Sequence, residues 1–401
     1  MTLARRLVPL LLLPLIAGME ALVWYALRAA MGMVMGDSIL TGAPGLSGVF
    51  GSAALLQVIG AVAGGLLALL VGPWGVLPLA ALGLAGALVL FAVLPFGYAW
   101  VVLVGAASLC YGALRPGLYG ALAVELGRPR EGLRQGAFLF AYAWVNAGAL
   151  VAGVVGIWVL DGLGIRPLVL VLAALGFAAA VLSFVPGALR LADRGASVDA
   201  PVGPQRTLTS AALAVVGLVP FTLLSLGGEQ VYGRVMDIGW LWLFQLNPLV
   251  VLVVAPALGL AAVGVQLGAA RALPALYTAG VGMVLMALGF AVALAAGGSS
   301  ALLAAGIALA AVGEVLAVPT LLSRILGDLP WRLVGLVAGL WFAVGVGVPW
   351  AFTTLSAVVP AVSGWAGALT WALVGLTAVV GIGALGAAGA LQRAVYAGTE
   401  G

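Results

Sequence analysis

"ALRLADRGASVDAPVGPQRT", residues 188–207, is the longest polar stretch in a chain of 401 residues that is 65% hydrophobic and 7% charged. A soluble globular domain carries about 25% charged residues, so the sequence on either side of this stretch belongs in lipid. Outward from it, apolar runs stand at 7–35, 47–71, 74–94, 98–124, 135–160 and 166–188 on one side. On the other they stand at 208–232, 238–263, 270–295, 300–326, 331–359 and 362–392. The runs are continuous and about 20 residues or longer, the length a helix needs to cross a bilayer, whereas a membrane β-barrel alternates polar and apolar positions in segments of about 10. The expectation is an all-α integral membrane protein of about twelve transmembrane helices. Residues 1–188 form an N-terminal six-helix bundle, 189–207 a cytoplasmic linker, and 208–401 a C-terminal six-helix bundle. The Asp, Gly, Ser and Pro content of the linker suits a flexible tether. The first run exceeds the apolar region of a signal peptide and no small-residue cleavage site precedes the next run, so it reads as a retained helix.

Every one of the 16 basic residues is arginine, histidine is absent, and Cys110 is the single cysteine. This removes imidazole bases and metal ligands, Schiff-base lysines and thiol pairs. No nucleophile with an adjacent base stands out inside the spans, so the chain is not expected to be an enzyme, and neither a metal nor an organic cofactor is expected. Cys110, in an apolar stretch, reads as a small packed hydrophobe. With a cytoplasmic amino terminus, twelve arginines fall inside (Arg5, Arg6, Arg128, Arg130, Arg134, Arg190, Arg194, Arg206, Arg271, Arg324, Arg332 and Arg393) and only Arg166 and Arg234 outside. That bias predicts a multi-pass protein of the cell inner (cytoplasmic) membrane with both termini cytoplasmic. The inside arginines read as topology signals and lipid-headgroup contacts. The isoelectric point of 9.6 therefore calls for no nucleic acid.

Five charged residues fall within spans: Glu20 and Arg28 on the first, Arg115 on the fourth, Glu229 on the seventh and Glu314 on the tenth. Each costs about 2.5–3.5 kcal/mol at mid-helix unless paired or hydrated. Two parallel six-helix repeats are the plan of major facilitator transporters, in which helices 1 and 7, and 4 and 10, correspond and surround a central cavity. The charges sit on those four helices and no others. Arg28 and Glu229 lie near the outer ends, Arg115 and Glu314 near the midplane, so the plan predicts two pairs, Arg28 with Glu229 and Arg115 with Glu314. Buried ion pairs stabilise poorly because desolvation offsets attraction, which favours gates and ligand sites over static struts.

Several stretches resemble the proton-coupled oligopeptide transporter (POT/PTR) family of the major facilitator superfamily. "LFQLNPLVVLVVAPAL" (243–258) is similar to the family's "fqxxNPxxixxxaP", and "GEVLAVPTLLSRILGDLPWRLVGLVAGLWF" (313–342) to its "GExxxxPxGLSxxxxxAPxxxxgxxMGxWF". "GALRPGLYGALAVELG" (112–127) resembles the helix 4 Lys-Pro pattern, here Arg115-Pro116. "LRQGAFLFAYAWVNAGAL" (133–150), "GGEQVYG" (227–233) and "MEALVWYALRAAM" (19–31) resemble family patterns on helices 5, 7 and 1. The resemblance identifies a divergent member. It implies a secondary active transporter, a proton-coupled symporter of di- or tripeptides or peptide-like zwitterions working by alternating access. Arg115 would meet the peptide carboxylate and Glu314 its amino group, with Asn146 and Asn247 holding the peptide ends and Tyr25 and Trp341 lining the site. Glu229, Arg28 and Glu20 would serve proton coupling and the outer gate, with protons as the coupling ion. The family's "ExxER" stands here as Ala17, Glu20 and Ala21. That departure keeps a second reading in view, a non-transporting membrane subunit or sensor that binds a partner protein.

Single residues add less. Trp24, Trp240, Trp242 and Trp350 lie near predicted interfaces, where belt anchoring is the default. Asn146 and Asn247 are uncharged amides that still need a partner in lipid.

Overall fold

The computed structural model describes residues 3–36, 46–94, 98–126, 131–191, 204–266 and 275–397. Among them stand twelve α-helices: α1 (Leu3–Gly36), α2 (Leu46–Val71), α3 (Pro73–Val93), α4 (Tyr98–Leu126), α5 (Glu131–Leu163), α6 (Ile165–Leu191), α7 (Pro204–Ile238), α8 (Leu246–Gln266), α9 (Ala275–Ala295), α10 (Ser300–Gly327), α11 (Trp331–Val358) and α12 (Pro360–Ala397). Most of the linker, 192–203, lies outside the described residues.

The helices begin and end where the sequence punctuates them. Pro204, Pro73 and Pro360 each open a helix, where a missing N–H costs nothing and φ is already set. Ser299 caps α10, its Oγ accepting from the Leu302 N–H at 3.4 Å. The eighth span differs from expectation. Gly239, at φ 72°, ends α7, a 3-10 turn over Leu241–Gln245 follows, and α8 begins only at Leu246. The apolar sequence "WLWLF" masks that break, because periodicity alone does not separate a tight turn from a helix.

Eleven of the helices are long and apolar enough to cross a membrane. The helix outside that set is α4, whose hydropathy is diluted by Tyr111, Arg115, Pro116 and Tyr119.

The chain packs as two compact units that do not follow chain order. The first comprises 1–127, 140–203 and 329–350; the second comprises 128–139, 204–328 and 351–401. Thus the first turns of α5 pack in the second unit and the greater part of α11 in the first. In the first unit α4 lies against α1, α2 and α3, with α6 covering α1 and α3. In the second, α10 is central, bound to α7, α8 and α9, with α12 against α7 and α9.

Small residues set these approaches. On α9 and α10, Gly282, Gly289, Gly306 and Gly313 bring backbone against backbone; a Cβ on Gly282 would stand 2.6 Å from the Ala317 nitrogen. Lipid offers no hydrophobic drive between helices, so dispersion across such close seams carries the association. The α9–α10 seam runs past Glu314, with Gly313 against Met286 and Ala317 against Gly282. Similarly, Gly112 on α4 meets the main chain of α2 at Gln57, one turn before Arg115.

Candidate functional site

In the first unit, Tyr111, Arg115 and Tyr119 occupy every fourth position of α4 and therefore share one face. Arg115 donates a hydrogen bond to the Tyr111 hydroxyl and is hydrogen-bonded to Tyr119. The guanidinium carbon lies 4.8 Å from the ring centre of Tyr111 and 5.7 Å from that of Phe342 on α11. Phe342 in turn packs on Tyr119, with ring centres 5.0 Å apart. Arg115 is thus held by two phenols and covered by aromatic faces, an arrangement that stabilises a cation without neutralising it. It leaves guanidinium N–H groups for an oxyanion.

Glu20 belongs to the same cluster. Trp24 on α1 stacks on Tyr111, with ring centres 4.8 Å apart and planes 13° from parallel. Glu20 lies one turn from Trp24, as Arg115 lies one turn from Tyr111, and the two charges interact electrostatically. Glu20 is 3% exposed and its Oε1 has no hydrogen-bond partner. A buried carboxylate oxygen without a donor is costly and suits a proton or a ligand cation. Tyr25, at the edge of this cluster, is 36% exposed.

In the second unit, Glu314 on α10 is buried and its Oε2 accepts from Asn247 Nδ2 on α8 at 2.9 Å. The sequence names both residues; the structure brings them together. Asn146 instead donates to the main-chain oxygen of Tyr142 at 2.9 Å, a bond within α5. Trp341 is buried, and its neighbour Phe342 is the one that meets Arg115. Glu229 and Arg28 are both exposed.

Two expectations for individual residues fail. Trp24 is buried against Tyr111 rather than anchored at an interface, because its ring completes the stack over the arginine cage. Arg134 is 1% exposed, so it touches no headgroup; its Nε donates to the Ser323 main-chain oxygen at 3.0 Å. Arg324 pairs with Glu131 at 2.9 Å and with Asp328 at 3.1 Å. The side chains of Arg5, Arg6, Arg128, Arg130, Arg190, Arg194, Arg206, Arg271 and Arg393 lie outside the described residues.

Sequence reasoning missed Tyr111, Tyr119, Trp24 and Phe342. The four-residue spacing of Tyr111, Arg115 and Tyr119 was a usable signal; the approach of Phe342 from α11 was not.

No family model matches the chain, and no curated protein matches it by sequence. Solved structures do. The chain is similar to the human organic anion transporter MFSD10 (TETRAN), with 17% identity over 95% of this chain and 99% of that one and a TM-score of 0.68. It is similar to the proton:xylose symporter XylE, with 14% identity over 94% and 95% and a TM-score of 0.70. The POT family transporter PepTSo matches at 16% identity over 96% and 98%, with a TM-score of 0.61. These likenesses show that the chain has the major facilitator fold. They include the family that the sequence motifs resemble.

Proposed function

We propose that the protein is a divergent member of the POT branch and a secondary active transporter of di- or tripeptides, or peptide-like zwitterions, coupled to protons and working by alternating access. The observation that carries this reading is the pair of opposite charges that the fold maintains at mid-span. Arg115 is kept charged in an aromatic cage, and the Glu314 carboxylate accepts from the Asn247 amide. Both match the motif positions of peptide-binding residues. Arg115 takes the ligand's carboxylate through its guanidinium edge. Glu314 takes the amino group, with Asn247 fixing its carboxylate, and Asn146, Tyr25 and Trp341 complete the lining.

Proton coupling rests on Glu229 with Arg28, and on Glu20. The positions where the family carries its other "ExxER" charges hold Ala17 and Ala21, 2% and 0% exposed. A Cβ on Gly148 of α5 would stand 3.0 Å from the Ala21 Cβ, so α5 occupies the space an arginine there needs. Glu20 is therefore the acid on α1 that remains for proton exchange.

The membrane is the cell inner (cytoplasmic) membrane, with both termini inside. The bundles at 1–188 and 208–401 move about the linker at 189–207.

The same missing charges support the second reading, a POT-like subunit or sensor that binds a partner protein without transporting. Uptake of dialanine into proteoliposomes under an imposed pH gradient separates the two. Gradient-driven accumulation that Arg115→Ala abolishes supports transport. No accumulation, with a stoichiometric partner on purification, supports the second.

A further inference from the structure

Glu20 on α1 keeps one carboxylate oxygen unsatisfied. The residue is buried, yet its Oε1 has no hydrogen-bond partner. Its neighbours at the adjoining turns of α1, Ala17 and Ala21, are buried and carry no side-chain donor. Behind them α5 approaches main chain to main chain, since a Cβ on Gly18 would stand 2.9 Å from the Trp144 oxygen and one on Gly148 would overlap the Gly18 oxygen. Successive spans alternate in direction, so α1 and α4 run opposite ways. Trp24 and Tyr111 meet at one level. Glu20, four residues before Trp24, and Arg115, four residues after Tyr111, therefore lie on the same side of that stack, each about 6 Å along its helix. The two charges interact through space. The guanidinium nevertheless leaves Oε1 alone, its hydrogen bonds going to Tyr111 and Tyr119.

The first unit thus holds, at one depth, a guanidinium edge that takes an oxyanion and an acid oxygen that lacks a cation. A carboxylate docked on Arg115 adds a second negative charge beside Glu20, and like charges in a desolvated site repel. A cation on the same ligand removes that repulsion and gives Oε1 a charge-assisted hydrogen bond. We infer that Glu20 sets selectivity for peptides whose C-terminal residue has a basic side chain, with the carboxylate on Arg115 and the side-chain ammonium on Glu20 Oε1. This rests on the reading of Arg115 as the carboxylate site and adds to it the class of side chain. The Trp24–Tyr111 stack and the partly exposed ring of Tyr25 offer the methylene stem an apolar wall, and their faces attract a cation. A ligand with an uncharged C-terminal side chain leaves the oxygen to a proton, so proton and ammonium are alternatives there. A basic side chain on the N-terminal residue is directed toward Glu314 and lies away from Glu20.

Isothermal titration of the full-length protein in lipid nanodiscs compares Ala-Lys with alanyl-norleucine, whose side chain has the same stem without the charge. The parent is expected to bind Ala-Lys at least five-fold more tightly, and Glu20→Gln to bring that ratio within two-fold. Lys-Ala has the same charges in reverse order, and its preference over norleucyl-alanine should change less than two-fold in Glu20→Gln. Equal affinities in the parent, or a preference that survives in Glu20→Gln, overturn the selectivity and leave the peptide reading intact. Equal dependence of Lys-Ala on Glu20 overturns the placement of the cation beside Arg115. A parent that binds no dipeptide contradicts the peptide reading itself, and the selectivity with it. Should Glu20→Gln not remain folded by size exclusion, the parent decides alone: a five-fold preference for Ala-Lys over Lys-Ala supports the inference, and an equal or reversed preference overturns it.

Discussion

Asn247 on α8 donates from Nδ2 to Oε2 of Glu314 on α10 at 2.9 Å, inside the second unit. One amide thus orients the acid that the proposed site needs, and it does so by tying together the two helices that also receive the start of α5. Asn247→Ala leaves a buried carboxylate without that donor, at a cost of about 1–3 kcal/mol. A lowered melting temperature in detergent is expected, together with weaker dialanine binding. A full-affinity Asn247→Ala protein contradicts the role given to this bond.

The arginine cage makes a separate prediction. Tyr111→Phe keeps the ring beneath Arg115 and removes only the hydroxyl that accepts from it. A hydrogen bond to a charged group is worth about 1.5–3 kcal/mol, so about ten-fold or greater loss of dialanine affinity is expected by titration. The fold should persist because the stack of Trp24 on Tyr111 remains. Phe342→Leu removes an aromatic face from the guanidinium and should weaken binding by a smaller factor.

The glycine seams are tested by adding one methyl group. Gly313→Ala places a Cβ against the main chain of α9 at Met286, where backbone cannot yield. Such overpacking costs about 1–3 kcal/mol, and thermal unfolding should begin at a lower temperature. Gly383→Ala on α12 has nothing within 4 Å of the new atom. There the better helix propensity of alanine should leave stability equal or slightly higher. Equal effects at the two positions would contradict the seam.

Much of this architecture was legible in the sequence, for a physical reason. Hydrocarbon forces each crossing into a continuous apolar helix, so the runs at 47–71 and 300–326 fall within a residue of α2 (Leu46–Val71) and α10 (Ser300–Gly327). The start of α8 was hidden because Leu241–Phe244 is as apolar as a helix, yet Leu241–Gln245 is wound as a 3-10 turn. The charged positions were legible because each carries a cost in lipid; their surroundings were not. Arg134 and Arg332 are equivalent to a rule that counts inside arginines, yet one is buried under α10 while the other lies 5.4 Å over the ring of Trp331. That distinction depends on Gly327, which lies 193 residues from Arg134 in sequence. Long-range complementarity of this kind leaves no local pattern.

The most direct measurement for the transport reading is dialanine uptake into proteoliposomes under an inward proton gradient, comparing the parent with Arg115→Ala and Glu314→Gln. Gradient-dependent accumulation in the parent, lost at least ten-fold in both variants while each remains folded by size exclusion, is the predicted result. Accumulation undiminished in both variants would contradict the account.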